Sequence, residues 1–375
     1  MLNKFQSDIL FTGYYGQKNT GDDAFVEVAA WGAKRYWNKD NSIFLAKEEN
    51  LPKVLSSIRG YPFSFPKTTF IQNKLLISSA NYLISAGGST LFSKYHPRDI
   101  KSLALEEKRK RKNIKLGAIG VSIGPFKTIE DEKIIKNYLN NLSFLSVRDQ
   151  TSFDYLKSLD LPYSPVNAFD LAALLPKIYE VDAKPKLGQS KDKKVVGVSV
   201  CPVESISGDN INLENIRNKK IIELLKILNK NKDIHFKFFV INGNDRVGDY
   251  NLSCEIINQV SPFNYDLVNY NKYTRSIWEE IQQCDFIIST RLHAAIFACF
   301  SDIPFMLNEY HRKCSDFLDN VGYNYHYRLF NNEYDVVEKA ETILNILNGR
   351  VNYVMPTKIK EMEEMAELNF TGVEI

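Results

Sequence analysis

Arg291 and His293 stand two residues apart where the sequence marks a strand-to-helix joint. Asp285–Ser289 reads as a strand, and Ala294–Phe300 as an apolar helix of small residues. A guanidinium is a planar fork that matches carboxylate or phosphate, and an imidazole changes charge near neutral pH. Together they suit an anionic substrate undergoing proton transfer. On a regular helix residues i and i+2 diverge by ~200°, so both side chains reach one ligand only from the turn itself. The alternative is a buried helix whose histidine is hydrogen-bonded internally.

Glycine-bearing turns after strands form a second set of candidates. Gly13–Asp23 (GYYGQKNTGDD) follows the strand Ile9–Phe11 and holds Gly16, Asn19, Gly21, Asp22 and Asp23. Glycines admit close backbone approach, and a helix start favours an anion. The spacing is neither GxGxxG nor a P-loop, and Asp22 could simply cap the helix. Gly87-Gly88 follows the strand Tyr82–Ser85, and Gly124-Pro125 closes another. Each turn is weak alone, but three in one half point to a shared cleft. Arg148, at the end of the strand Phe144–Val147, is either an anion fork or a partner for Asp149 or another acid.

The elements that must hold these residues alternate. Ile9–Tyr14, Ser42–Ala46, Tyr82–Ala86, Leu116–Val121 and Phe144–Val147 read as short buried strands, with a helix over Ala24–Trp37. A polar stretch, Ala183–Lys194, suits a linker. A second series follows: strands Val195–Val200, Phe236–Ile241, Phe286–Ser289 and Pro304–Leu307, with a helix over Lys219–Asn229. Helices over Val336–Leu347 and Lys358–Leu368 close the chain. Strands alternating with helices predict parallel sheets, hence an α/β chain. At 375 residues the chain exceeds the ~250–300 at which single cores stop growing. The expected domains are 1–182 and 195–332, with 183–194 between them and helices over 333–375 that could cross back.

Composition excludes some classes. Apolar residues are 44% and charged residues 25%, so the chain is not disordered as a whole. A net charge of +3 gives no case for nucleic acid. The longest apolar run, Ala294–Phe300, is far short of the ~20 residues that span a bilayer. The start MLNKFQSDIL lacks a signal-peptide pattern, so a cytoplasmic protein is expected. Five scattered cysteines form no CxxC pair, which predicts reduced thiols and no metal site. Lys108–Lys112 (KRKRK) reads as a solvated helix face or as a contact with anionic lipid at the inner face of the plasma membrane.

Taken in order, Asn19-x-Gly21-Asp22-Asp23, Gly87-Gly88, Ile123-Gly124-Pro125, Ser146-Val147-Arg148-Asp149, Arg291-Leu292-His293-Ala294 and Tyr310-x-x-Lys313 resemble the polysaccharide pyruvyl transferases over about residues 10–330. That resemblance implies a GT-B-like fold, two Rossmann-like domains facing across a cleft, with the acceptor on the first and the donor on the second. It implies transfer of the enolpyruvyl group of phosphoenolpyruvate (PEP) to a sugar diol of a surface polysaccharide or lipid-linked precursor, giving a cyclic ketal and phosphate. Arg291, the Leu292 backbone and His293 would bind PEP, with Arg148 and Lys313 as further anchors. His293 would serve as acid or base, and Asp22 or Asp23 would act on the acceptor. Gly16, Asn19, Gly21, Gly87, Gly88 and Gly124 would shape the cleft. No cofactor or metal is implied. The saccharide acceptor could be polyprenyl-diphosphate-linked, which would allow peripheral membrane contact. Cys201 stands where the family often has arginine, and His311-Arg312 where Asp-Pro is frequent. Two other classes remain open: a GT-B glycosyltransferase using a nucleotide sugar, and a noncatalytic glycan-binding protein.

Overall fold

The computed structural model describes residues 2–111, 113–179, 193–331 and 333–375. They form two compact units. The first takes Met1–Gln17, Asp22–Ile178 and Glu361–Ile375; the second takes Lys18–Gly21 and Tyr179–Lys360. The chain therefore enters the second unit for four residues before its main passage there, and its last helix belongs to the first. Of the stretch 183–194, only Lys193 and Lys194 lie among the described residues.

The first unit is built on a seven-stranded, wholly parallel sheet: β1 (Ile9–Thr12), β2 (Ser42–Lys47), β3 (Arg59–Tyr61), β4 (Tyr82–Leu91), β5 (Lys115–Ile123), β6 (Phe144–Val147) and β7 (Val166–Asn167), in the order β3-β2-β1-β4-β5-β6-β7. Ile9 pairs with Ser42 on one side and with Tyr82 on the other. β1 and β6 are buried along their whole length, as a parallel sheet covered on both faces requires. Leu10, Leu83, Leu116 and Leu145 pack with Ile77, Ala104, Ile135 and Tyr138 from the flanking helices.

The second unit repeats the plan with β8 (Lys194–Ser199), β9 (Ile234–Phe239), β10 (Tyr265–Val268), β11 (Phe286–Ser289) and β12 (Phe305–Leu307), all parallel, in the order β10-β9-β8-β11-β12. Within each unit the first strand lies between the second and the fourth. This is the doubly wound order of Rossmann-like folds, and it places a winding reversal between β1 and β4 and another between β8 and β11.

The differences from the sequence reading have simple causes. β3, β7 and β10 were not expected; each is an edge strand of two to four residues with no long apolar run. β1 ends at Thr12 rather than Tyr14. Gly87 and Gly88, expected in a turn beyond the strand, lie inside β4 at φ +74° and +75°, and the register with β5 shifts just after them. The helix expected at Ala24 begins at Thr20.

Candidate active site

In the second unit, β11 delivers its end to the winding reversal. Thr290 N donates to the Ser199 carbonyl of β8 (2.6 Å), and Ser289 Oγ donates to the Arg291 carbonyl (2.6 Å). Arg291 is extended (φ −72°, ψ 121°) and caps the helix Leu292–Phe300, so Leu292 is its first residue and His293 its second. Arg291 thus leaves from the turn, whereas His293, expected there too, already belongs to the helix, which starts two residues before the expected Ala294.

Arg291 is held by a residue the sequence reading did not select. Its Nε donates to both oxygens of Asp249 (2.9 and 3.0 Å), and one terminal nitrogen donates to the same carboxylate. Asp249 is fully buried, and its Oδ2 also accepts from Asn242 N (2.8 Å). The other terminal nitrogen of Arg291 is left unengaged by that carboxylate. Burial opposes the Arg291 charge, but the Cys201 thiol and the Asp249 carboxylate hold its pKa above the ordinary value. A single aspartate in a polar loop carries no periodic signal, which is why it escaped notice.

His293 packs edge-on against Phe297 (6.4 Å between centroids) and against the Gly21 backbone. A methyl group on Gly21 would come within 2.1 Å of His293 Nδ1, so only glycine admits the ring here. The segment Lys18–Gly21 is laid along Ile241–Gly243. Thr20 N donates to the Ile241 carbonyl (2.9 Å), Gly243 N to the Lys18 carbonyl (2.7 Å), and Gly21 N to Asn19 Oδ1 (3.0 Å). Asn19 and Gly21, expected among the cleft loops of the first domain, therefore lie in the second unit with His293.

Beside this joint is a group of cations. Arg291, Arg217 and Lys313 all act electrostatically on the Cys201 thiol, which burial nevertheless pushes up to about 11. The Arg217 guanidinium and the Lys313 ammonium each lie 5.5 Å from the centroid of the Tyr310 ring. Arg217 is completely buried and bonded through both terminal nitrogens to Glu204 (2.8 and 2.5 Å). It comes from the helix Ile211–Leu228, inside a periodic apolar pattern that conceals it in the sequence. Arg217 thus lies near enough to the Cys201 thiol to act on it.

The first unit holds the other candidates. Asp22 and Asp23 occupy the first turn of the helix Thr20–Trp37, with Asp23 buried. A methyl on Gly87 would strike Phe25 at 2.3 Å, and one on Gly88 would lie 3.9 Å from Asp22 Oδ1. Arg148 lies over Phe25 (5.9 Å), and its Nη1 donates to Asp170 Oδ2 (2.7 Å) and its Nε to Ser122 Oγ (2.9 Å). The internal pair weighed for Arg148 is thus present, with Asp170 rather than Asp149. Asp149 instead caps the helix Gln150–Lys157 by accepting from Ser152 N (2.8 Å). Gly16 (φ +70°) sits against Asn50 and Ala46, and Gly124 (φ +67°) donates its N–H to Leu91 at the end of β4.

In the basic run, Lys108 Nζ donates to the Asn141 carbonyl, Arg109 Nε to the Leu105 carbonyl, and Lys110 pairs with Glu106. Lys112 lies outside the described residues. Among the described residues no helix is long and apolar enough to cross a membrane, and no group of three or more His, Cys, Asp or Glu side chains could hold a metal ion.

Two doubly wound parallel units define the class: a GT-B-like α/β protein. The UDP-GlcNAc 2-epimerase from Neisseria meningitidis, solved bound to UDP-GlcNAc, aligns over 97% of this chain and 99% of its own (TM-score 0.57, 11% identity). That from Methanocaldococcus jannaschii aligns over 96% and 98% (TM-score 0.56, 12% identity). The S. aureus MnaA–UDP co-structure aligns over 97% and 92% (TM-score 0.57, 8% identity). At these identities the likeness is one of fold. No curated protein sequence matches the chain. The chain belongs to the polysaccharide pyruvyl transferase family, whose model matches residues 19–312.

Proposed function

We propose that this protein transfers pyruvate from PEP to a saccharide diol, forming a cyclic ketal and releasing phosphate without a cofactor. The observation that carries this reading is the joint after β11: an arginine fixed by a buried aspartate, an imidazole one helical residue further on, and Lys313 beside them. PEP bears a phosphate and a carboxylate, so it needs more than one cationic anchor, and a guanidinium fork suits either group. Arg291 offers its unengaged edge, and the Leu292 N–H stands at a helix start that favours an anion.

In this scheme C3 of PEP takes a proton and C2 becomes electrophilic. One acceptor hydroxyl adds to C2, the C2–O bond to phosphate breaks with its electron pair on phosphate, and the second hydroxyl closes the ring. Of the two hydroxyl protons, one is balanced on C3 and the other on the departing phosphate. Closure is intramolecular, where orientation is worth ~7–11 kcal/mol. His293 is the group we assign to proton transfer and to the leaving phosphate, and Asp22 or Asp23 to the acceptor hydroxyl. Arg148, held by Asp170 much as Arg291 is held by Asp249, stays a secondary anchor in this proposal. A lipid-linked acceptor would bring the protein to a membrane surface.

The test is thermal unfolding with PEP, UDP and UDP-galactose added separately. A ligand at ~100 times its dissociation constant adds about 2.7 kcal/mol to the native state, several degrees for units of this size. The expected result is a shift with PEP that disappears in Arg291→Ala. A shift with UDP or UDP-galactose but none with PEP would replace this reading with a glycosyltransferase.

A further inference from the structure

In the first unit the helix Thr69–Ser79 lies beside the helix Ile100–Arg111 on one face of the sheet. Its inner side is ordinary: Leu76 and Ile77 are buried in the cluster that holds Leu10, Leu83 and Leu116. Its outer side is not. A helix packed on one side only should be polar on the other. Yet Ile71 and Leu75, four residues apart and so neighbours on the helix surface, are 60% and 41% exposed. Just before the helix, Phe65 is 68% exposed, and its ring stacks on Phe63 (5.9 Å between centroids). The Gln72 side chain bonds both the N–H and the carbonyl of Phe63 (3.0 and 2.8 Å), and Thr68 Oγ1 donates to the Phe65 carbonyl (2.7 Å). These bonds hold Phe65 against the start of the helix, so the three apolar side chains share one surface. Single exposed apolar residues are commonplace, whereas a contiguous group marks a surface that something covers.

The border of this group is basic. The Lys74 ammonium and the Arg98 guanidinium lie over the Phe70 ring, 4.6 and 5.5 Å from its centroid. Lys67 is exposed beside Phe65, and Arg109 and Lys110 are exposed on the neighbouring helix. Lys110 pairs with Glu106 (2.7 Å) and holds that carboxyl below its ordinary pKa, with Lys74 and Arg109 adding to the effect. Lys74 thus joins the cations of the second helix to the apolar row of the first. Residues 67–115 contain 11 Lys and Arg and three Asp and Glu, whereas the whole chain contains 48 and 45. The rest of the chain is therefore net acidic, and its basic excess is gathered in the segment that carries these two helices.

An apolar row bordered by lysine and arginine matches an anionic lipid surface. Ile, Leu and Phe side chains enter the boundary of the acyl chains, while the long Lys and Arg stems keep their charges among the headgroups. An acidic protein would answer the charge, but it would also need pockets for three side chains spread along the outside of one helix. A bilayer accepts them at any spacing. We propose that the outer sides of these two helices dock on an anionic bilayer surface, with Phe65, Ile71 and Leu75 inserted and Lys67, Lys74, Arg98, Arg109 and Lys110 on the headgroups. The basic run was visible in the sequence as one half of such a contact. The apolar half is visible only once burial separates Ile71 and Leu75 from Leu76 and Ile77. The docking surface does not rest on the pyruvyl-transfer reading, because neither PEP nor a sugar takes part in it.

The full-length protein is sedimented with sucrose-loaded vesicles, made either of phosphatidylcholine alone or of phosphatidylcholine with one third phosphatidylglycerol. Ile71→Ser/Leu75→Ser and Lys74→Gln/Lys110→Gln variants are run beside it. The parent is expected to bind the anionic vesicles about tenfold or more tightly than the neutral ones, and to weaken at high salt, which screens exposed charges. The lysine variant should lose about fivefold for each cation removed, and the serine variant about tenfold or more, from lost apolar burial. Both should melt with the parent, because all four side chains are exposed; a clear drop in the serine variant would make Ile71 and Leu75 structural and count against the surface. Equal binding to both vesicle types overturns the proposal. Anionic binding that the serine variant keeps in full also overturns it, leaving only a diffuse pull on the basic run. No binding to either vesicle, with retention on immobilised polyglutamate that both variants lose, would assign the surface to an acidic protein instead. No binding to vesicles or to polyglutamate overturns the proposal outright.

Discussion

Gly21 shows how far the chemistry of single residues could be read. The sequence marked it as a glycine before two acids, which suggested a turn with an anion near a helix start. Its structural task is narrower: it clears space for the His293 ring, whose Nδ1 a methyl group would meet at 2.1 Å. The pair is separated by most of the chain, and nothing in the local pattern of either residue names the other. Gly21→Ala is expected to displace the imidazole and to lower turnover of PEP with an accepted saccharide by tenfold or more, since small misplacements of a catalytic group cost about that much or more. Overpacking should also cost ~1–3 kcal/mol of stability. Steady-state kinetics alongside a melting curve check this; an alanine variant with parental activity would remove His293 from the chemistry or show that its position is uncritical. Arg291 and His293 were visible in the sequence as candidates because charged and titratable types are costly to place between an apolar strand and an apolar helix. Asp249 and Asp170, which hold Arg291 and Arg148, were not, because a buried counter-ion is defined by its partner in space and not by its neighbours in sequence.

At the level of elements, β6, β11 and the helix Val336–Leu347 appear with the limits their apolar patterns indicate. Central strands of a parallel sheet are buried on both faces and so read as unbroken apolar runs. β3, β7 and β10 lie at sheet edges, where a few residues suffice and no such run is needed. The glycines inside β4 misled in the other direction. Gly87 and Gly88 interrupt the pattern but not the strand, taking positive φ while the ladder resumes beyond them. The last helix, Ile359–Thr371, is tied to its unit by a buried amide that no periodicity reveals. Asn369 Nδ2 donates to the Phe169 carbonyl (2.8 Å), and its Oδ1 accepts from Ser146 Oγ of β6 (2.7 Å). Asn369→Leu removes both bonds, leaving Ser146 Oγ with the longer bond from the Gly120 N–H (3.3 Å), and is expected to destabilise the first unit by ~1–3 kcal/mol. Urea unfolding followed by tryptophan fluorescence reads this directly, through Trp37, whose ring lies 5.1 Å from Phe370 one residue along. An unchanged midpoint would mean that the amide is dispensable.

The whole molecule was legible as two α/β halves of similar plan, because length and the two alternating series required them. How the chain shares its ends between the units was less so. A segment of four residues, Lys18–Gly21, and a closing segment, Glu361–Ile375, each belong to the unit distant in sequence; backbone bonds to Ile241 and Gly243 hold the first there, and side chains hold the second. The closing segment makes a testable case. Phe370 stacks on Tyr36 (5.5 Å, 15°), Trp37 Nε1 donates to the Phe370 carbonyl (3.0 Å), and Glu367 accepts from both Tyr36 OH (2.7 Å) and Lys177 Nζ (2.6 Å). Met362, Ala366 and Phe370 are all buried. A fragment of residues 1–178 lacks every one of these contacts, and removing two large buried side chains alone forfeits ~2–5 kcal/mol apiece, against a total stability of ~5–15 kcal/mol for a typical domain. That fragment is therefore expected to unfold early and with a shallow urea dependence, whereas the same fragment joined to residues 359–375 through a flexible Gly-Ser stretch recovers a single steep transition. Equal midpoints for the two fragments would show that the first unit is complete without its last helix. Recovery of a cooperative transition only on rejoining would establish that the first unit is assembled from two segments distant in sequence.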